Sequence, residues 1–358
     1  MRRNKSLIAA MAISLPLMAA TACSTADEVA SGGKSNSDAT YTYTSDQEGI
    51  TELEGAKMSS TLGPVDSDKG YKVGVILKAL TNQYWQGIEA GAKAAAKDLG
   101  VDVTVQAASS EQAQTEQLTI AQTLLSQKFD AYVVAPESTS NLTPALKQMQ
   151  GQDAPIVNVD DARVPATVYV GPDHELDGSQ AAVEFAKEFP DGGKVAQVEG
   201  QAGSSAAILR IKGFKEGVAK AGNLDLVASV PGDWDADKAF AAAQQIIQQH
   251  PDVKGIYANN DTMAIGVAKA VQASGKDIKV IGTDGVPEAV DAVRKGTMFS
   301  TVSPLPYYEG YWAVESAVRL LEGQKVAPWV VAPAQLILKD NVDQFYDTNG
   351  QVLTDIFK

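Results

Sequence analysis

The stretch Lys78-Ala79-Leu80-Thr81-Asn82-Gln83-Tyr84-Trp85 joins two runs of different period. Before it, Val73-Gly74-Val75-Ile76-Leu77 is a short continuous apolar run, the pattern of a parallel strand buried on both faces. After it, Trp85, Ile88, Ala92, Ala95 and Leu99 recur at helical spacing, and Gly100 closes the run. The stretch is therefore a loop at the carboxyl end of a strand, where open α/β sheets bind their ligands. A cation, an amide and two adjacent aromatics are unusual contents for a connector. Tyr84 and Trp85 fit two roles, staples of the helix onto the sheet or the wall of a ligand site, and this stretch alone leaves both open.

The same alternation runs on. Apolar strand patterns recur at Val101–Ala107, Ala131–Ala135, Ile156–Asp160 and Thr167–Gly171, then at Lys194–Glu199, Leu224–Val230, Gly255–Ala258, Lys279–Gly282 and Phe299–Val302. Helical patterns such as Glu111–Gln127, Leu176–Phe189, Ser204–Ala221 and Thr262–Ser274 lie between them. Alternating strands and helices predict parallel sheets covered on both faces. The plan repeats, since Val73–Gly100 and Lys194–Gly222 are both strand, polar loop, helix and glycine. Two doubly wound α/β lobes are expected rather than one very wide sheet. A late helix, Tyr308–Leu321, is expected to return to the first lobe, and a short strand, Gln335–Leu338, to cross to the second. The lobes then span 70–172 plus 305–333 and 173–304 plus 334–358, joined by a multi-strand hinge over a cleft.

The amino-terminal part has a different character. Arg2, Arg3 and Lys5 precede an apolar run, Leu7 to Ala20, and small residues lead to Cys23, the only cysteine. This is the pattern of a secretory signal, too short for a membrane span, and it resembles a lipoprotein signal with Cys23 as the lipid-attachment site. Ala20 departs from it, leucine being commoner there. Residues 1–22 are expected to be signal peptide. Residues 23–69, rich in Ser, Thr, Gly, Asp and Glu, are expected to be a flexible tether holding the folded part to a membrane on its extracytoplasmic side.

Composition narrows the function. A formal net charge of −14 and a pI near 4.6 speak against a nucleic-acid surface. One cysteine and two histidines, His174 and His250, exclude an internal disulfide and a Cys/His zinc cluster, and neither metal nor cofactor is expected. His174 is expected to be structural. No phosphate-binding glycine loop or serine elbow is visible. Asp160 and Asp161 could suggest glycosidase chemistry, but adjacent strand residues point to opposite sides. An enzyme is therefore not expected.

The loops at the strand ends carry the specific signal. The first lobe brings Lys78, Asn82, Tyr84, Trp85, Glu137, Asp160 and Asp161. The second brings Ser204-Ser205, Asp233-Trp234-Asp235, Asn259-Asn260-Asp261 and Asp284-Gly285. Carboxylates and amides hydrogen-bond hydroxyls, and aromatic rings cover apolar C–H faces, which together suit a sugar or polyol. Asp235 and Asp261 also fit helix caps, and Asp284-Gly285 a turn.

These stretches, with Ala202-Gly203-Ser204-Ser205-Ala206-Ala207, Arg210 and Gly213-Phe214, resemble the type I periplasmic solute-binding proteins of the ribose and galactose class, which serve ABC transporters. The resemblance covers Tyr71 to about Gln344. It implies a monosaccharide or polyol held between two lobes and a closed monomeric form presented to a membrane permease. It places stacking aromatics at Tyr84, Trp85 and Trp234, and polar ligand groups at Asn82, Asp160, Asn260 and Asp284. Lys78 stands where ribose binders carry a small hydroxyl residue, Asp161 and Ile208 where they carry arginines, and Pro304 where they carry a glutamine. Lys78 and Asp161 are thus candidate ligand residues particular to this chain, and ribose itself is placed in doubt. A furanosyl signal molecule is an alternative ligand, and docking on a signalling receptor an alternative to transport. A sugar-sensing repressor would need a basic helix-turn-helix where this chain has its signal and acidic tether.

Overall fold

The computed structural model describes residues 52–357 apart from Asp66 and Asp68. Cys23, the signal segment 1–22 and the tether up to residue 51 lie outside the described residues. In chain order the elements begin with β1 (Glu52–Glu54), α1 (Met58–Leu62), β2 (Lys72–Ala79), α2 (Gln83–Leu99), β3 (Asp102–Ala108), α3 (Gln114–Ser126), β4 (Ala131–Val134), α4 (Thr143–Gln150), β5 (Ile156–Val159) and β6 (Val168–Gly171). They continue with α5 (His174–Glu188), β7 (Gly193–Glu199), α6 (Ser205–Ala221), β8 (Leu224–Pro231), α7 (Ala236–Gln249), β9 (Val253–Ala258), α8 (Asp261–Ser274), β10 (Lys279–Thr283), α9 (Pro287–Lys295) and β11 (Ser300–Ser303). The last are α10 (Pro306–Leu321), β12 (Trp329–Val331), β13 (Gln335–Ile337) and a 3-10 turn, Val342–Gln344.

Two sheets form. The first has seven strands in the order β1-β12-β6-β5-β4-β2-β3, all parallel. The second has six, β13-β11-β10-β9-β7-β8, parallel except where β13 runs against β11. The central strands are mostly apolar because helices cover both faces: every residue of β4, β5 and β6 is buried. In each sheet the chain leaves the founding strand on one side and returns on the other. The order reverses between β2 and β4, and between β7 and β9. The crevices at these switch points face each other as the cleft. The chain is thus a two-lobed α/β protein.

Helix α10 packs against α2, β4, β5 and β6 of the first lobe, while β13 joins the second sheet. The chain crosses between lobes at 171–174, 303–306 and 331–335, and its tail passes back to the first lobe after Val352.

Two expectations about boundaries need correction. Residues 52–62 are not tether. Strand β1 pairs with β12 as a seventh strand, and the following turns lie along the outer stripe of α10. Gly55 sits on the Trp312 ring, where a Cβ would stand 2.3 Å from a ring carbon. Met58 is fully buried, Ser59 donates to Glu315, and the Arg319 guanidinium donates to Gly63 O at 2.8 Å. The arm carries few apolar residues, Leu53, Ala56, Met58 and Leu62, so hydropathy did not mark it. Nor do the last residues stay with the second lobe. Leu353 O accepts from Tyr308 Oη at 3.1 Å, Ile356 N donates to that hydroxyl at 3.0 Å, and the Phe357 ring lies 4.8 Å from Tyr308 and 5.8 Å from Trp312. The tail ends on α10, in the first lobe.

Candidate functional site

The opening loop is built around its cap. Asn82 caps α2, its Oδ1 accepting from Tyr84 N at 3.0 Å. Its Nδ2 donates to Glu111 at 2.7 Å, and Trp85 Nε1 donates to the same carboxylate oxygen at 3.1 Å. Glu111, in the loop after β3, therefore fixes both the amide and the indole. Sequence reading placed Glu111 at the start of a helix. The helix begins at Gln114 with no side-chain cap, which leaves Glu111 free to turn toward Asn82. Tyr84 and Trp85 are both buried, edge to face at 5.1 Å. The Tyr84 hydroxyl donates to Glu309 of α10 at 2.8 Å, so it is already committed to the hinge side of the lobe.

Lys78 ends inside the cleft, its ammonium paired with Asp161 and 5.5 Å from the Trp85 ring centre. Burial pushes its pKa down, and Glu111, Asp160 and Glu137 oppose the shift.

Asp160 and Asp161 lie just past β5 with φ of 48° and 20°. The sequence argument that adjacent strand residues point apart fails here, because two successive positive φ values break the alternation. Both carboxylates line the same cleft. Burial raises the Asp160 pKa against the pull of Arg210 and Lys78. One Asp160 oxygen stands 3.5 Å from His174 Nε2, and His174 Nδ1 stands 3.4 Å from Asp177. His174 is fully buried, and burial with the nearby cations holds it neutral.

The second wall comes from four loops. Trp234 follows β8 at φ 63° and lies over Gly200, where a Cβ would stand 2.1 Å from the indole. Only a glycine lets the ring approach the backbone so closely. Asn260 caps α8 through Oδ1, accepting from Met263 N at 2.9 Å, so its NH₂ is the group it can offer a ligand. Asp284 follows β10 at φ 132°, and burial raises its pKa well above the ordinary range despite Arg210. Arg210 donates to Asn259 O at 2.9 Å and Asp284 at 3.3 Å, and its Nε stands 3.5 Å from Asp177. Burial opposes its charge, but Asp284 and Asp177 hold it ionised.

Asp235 caps α7 by accepting from Lys238 N at 2.8 Å. Asp261 accepts from Gly285 N at 2.7 Å, Val286 N at 3.0 Å and Thr301 Oγ1 at 2.8 Å, and so braces the Asp284 loop. Neither lines the cleft.

The nine residues that the sequence reading assigns to the ligand line one cleft, namely Lys78, Asn82, Tyr84, Trp85, Asp160, Asp161, Trp234, Asn260 and Asp284, whereas Glu137, Ser204, Asp233 and Asn259 from the same strand-end loops do not. Glu111, Ala206 and Arg210 join the nine. The lobes stand close together around about 30 Å³ of open space, room for a water or two. A sugar ring enters only when they part. A larger, open hollow of about 670 Å³ at the amino ends of β7, β8 and β9 is lined by exposed turns and has no converging buried polar groups.

Residues 73–325 match the family described as periplasmic binding protein domain. The D-allose-binding periplasmic protein of Escherichia coli is 35% identical over 271 residues, 72% of this chain and 87% of that protein. The ribose import binding protein RbsB of Salmonella typhimurium is 30% identical over 270 residues, 75% of this chain and 90% of that one. Among solved structures, an ABC transporter periplasmic solute-binding protein from Actinobacillus succinogenes with bound D-allose has a TM-score of 0.73 and 27% identity, and covers 77% of this chain and 100% of its own. The chain therefore belongs to the periplasmic binding protein family, in the type I class of ABC sugar-transporter solute-binding proteins.

Proposed function

We propose that this protein captures a neutral monosaccharide or related polyol between its lobes, outside the cytoplasm, and delivers it to an ABC permease without altering it. The observation that carries the reading is the ring of buried polar groups set between two indoles at the switch points of both sheets. Four lining carboxylates, Glu111, Asp160, Asp161 and Asp284, face two lining cations, Lys78 and Arg210. An acceptor-rich ring suits a ligand that is mostly hydroxyl donors and disfavours sugar acids and sugar phosphates. Asp160 and Asp284 accept hydroxyls, Lys78 and the Asn260 amide donate, and Trp85 and Trp234 cover the two faces. Relatives named for D-allose and ribose make an aldohexose or aldopentose the first candidates. The protein acts as a monomer, and its signal with Cys23 supports a lipid-anchored form held at the membrane near its permease.

The test is a thermal-shift screen over aldoses, ketoses, deoxysugars and polyols, with sugar acids and phosphates as controls. A ligand bound only by the native state must raise the melting temperature, by a free energy of about 2.7 kcal/mol at one hundred times Kd. Stabilisation by a neutral sugar is expected. Stabilisation by the anionic controls alone would sink the reading.

A further inference from the structure

Asp161 differs from the other acids of the cleft in where its hydrogen bonds go. Its Oδ1 accepts from Ser204 Oγ at 2.8 Å and from Ala206 N at 3.0 Å, both at the start of α6 in the opposite lobe. Its Oδ2 pairs with Lys78 of its own lobe. Three donors fill most of what a carboxylate can accept. Asp160, by contrast, receives no hydrogen bond on its Oδ1, whose near neighbour is His174 Nε2 at 3.5 Å. Ser204 is itself the cap of α6, its hydroxyl accepting from Ala207 N at 3.3 Å while donating to Asp161. The acid thus completes the capping of a 17-residue helix that belongs to the other lobe, at the end where an anion is favoured. Lys78, Asp161 and Ser204 are each less than a tenth exposed, so the contact is screened from water.

We infer that Asp161 is a latch residue: it holds the lobes together by closing on the start of α6, and it sets affinity through the fraction of closed protein rather than by touching the sugar. The cleft acids then divide their work, Asp160 and Asp284 toward the ligand and Asp161 toward closure. Only the binding arm of the test rests on the sugar reading.

The first arm uses ligand-free protein. Lobe separation is followed by small-angle scattering for the wild type, Asp161→Ala, Asp161→Asn and Ser204→Ala, with melting curves to confirm folding. The radius of gyration is expected to rise in Asp161→Ala and Ser204→Ala. It should rise less in Asp161→Asn, which keeps an oxygen for Ser204 and Ala206 but loses the ion pair. Unchanged radii in all three variants would overturn the proposal. The second arm measures D-allose and D-ribose binding by calorimetry. The closed cleft has no room for a sugar, so lowering the closed fraction raises every affinity by one factor, here about tenfold in Asp161→Ala, and leaves their ratio unchanged. A ratio that moves more than about threefold would mean that Asp161 contacts the ligand, against the proposal. A wild type that binds neither sugar counts against the sugar reading, and the scattering arm still decides the latch.

Discussion

The two walls of the cleft each carry one buried cation, and the cations are placed in opposite ways. On the first wall Lys78 stands forward, paired with Asp161, while Glu111 braces Asn82 and Trp85. On the second wall Arg210 is committed to its own lobe, to Asn259 O, Asp284 and Asp177, and little of it remains for a ligand. Equal burial therefore does not mean equal work. Losing Lys78 leaves Asp161 with Ser204 and the Ala206 amide. Losing Arg210 leaves carboxylates from α5 and the β10 loop without their compensating charge. The first wall is built to receive, and the second is built to hold its own acids in place and to oppose the rise that burial imposes on their pKa values.

The sharpest way to break this contrast is to remove each cation at nearly constant shape. Arg210→Met is expected to cost about 3–5 kcal/mol of folding free energy, the usual result of orphaning buried charge. Lys78→Met is expected to cost about 1–2 kcal/mol while abolishing sugar binding. Urea denaturation of the two variants decides, and equal losses would refute the difference between the walls. The aromatics give the next effect. Trp85 belongs to the apolar core as well as to the cleft, so Trp85→Ala should lower stability by about 3 kcal/mol and weaken binding too. Trp234 is only half-buried, and Trp234→Ala should weaken binding about 10- to 100-fold, the loss of one aromatic face, with the melting temperature nearly unchanged.

The smallest effect concerns an acid behind the first wall. Glu137 follows β4, and neither of its carboxylate oxygens has a hydrogen-bond partner in the protein. Burial raises its pKa to about 7 from an ordinary 4.5, with Lys78 opposing. The folded chain therefore holds this proton more tightly than the unfolded chain. Its stabilising contribution is complete below about pH 4.5 and is lost as pH rises through 7. Glu137→Gln should thus gain on the wild type between pH 5 and pH 8, by about 1–2 kcal/mol. Melting curves at the two pH values test the sign, and a variant that falls behind at pH 8 would show that Glu137 is stabilised as an anion.

Much of this was visible in the chain before folding. Apolar runs such as Val73–Leu77 announce their strands because a parallel strand is buried on both faces, and the strand ends together with the family resemblance name nine cleft residues. Glu111 was missed because its partners lie 29 and 26 residues away, and only the β3 loop conformation brings it to them. Arg210 belonged to a recognisable motif, yet its role depends on acids from α5 and β10 that no spacing within α6 reveals. The choice left open for Tyr84 and Trp85 resolves as both: each is core and each lines the cleft, and Tyr84 spends its hydroxyl on Glu309.

The Trp312 ring has a mechanical consequence. Gly55 of the amino-terminal arm and Phe357 of the tail both rest on it, so the two ends of the described chain are gathered on α10 of one lobe. A pull on either end loads that helix and its sheet and leaves the crossings at 171–174, 303–306 and 331–335 without strain. A pair of fluorophores placed at Glu52 and Phe357 would therefore report almost nothing of lobe movement. A short linker joining those two residues, with new ends opened in an exposed turn of the second lobe, would create a permuted chain whose termini travel with the moving half.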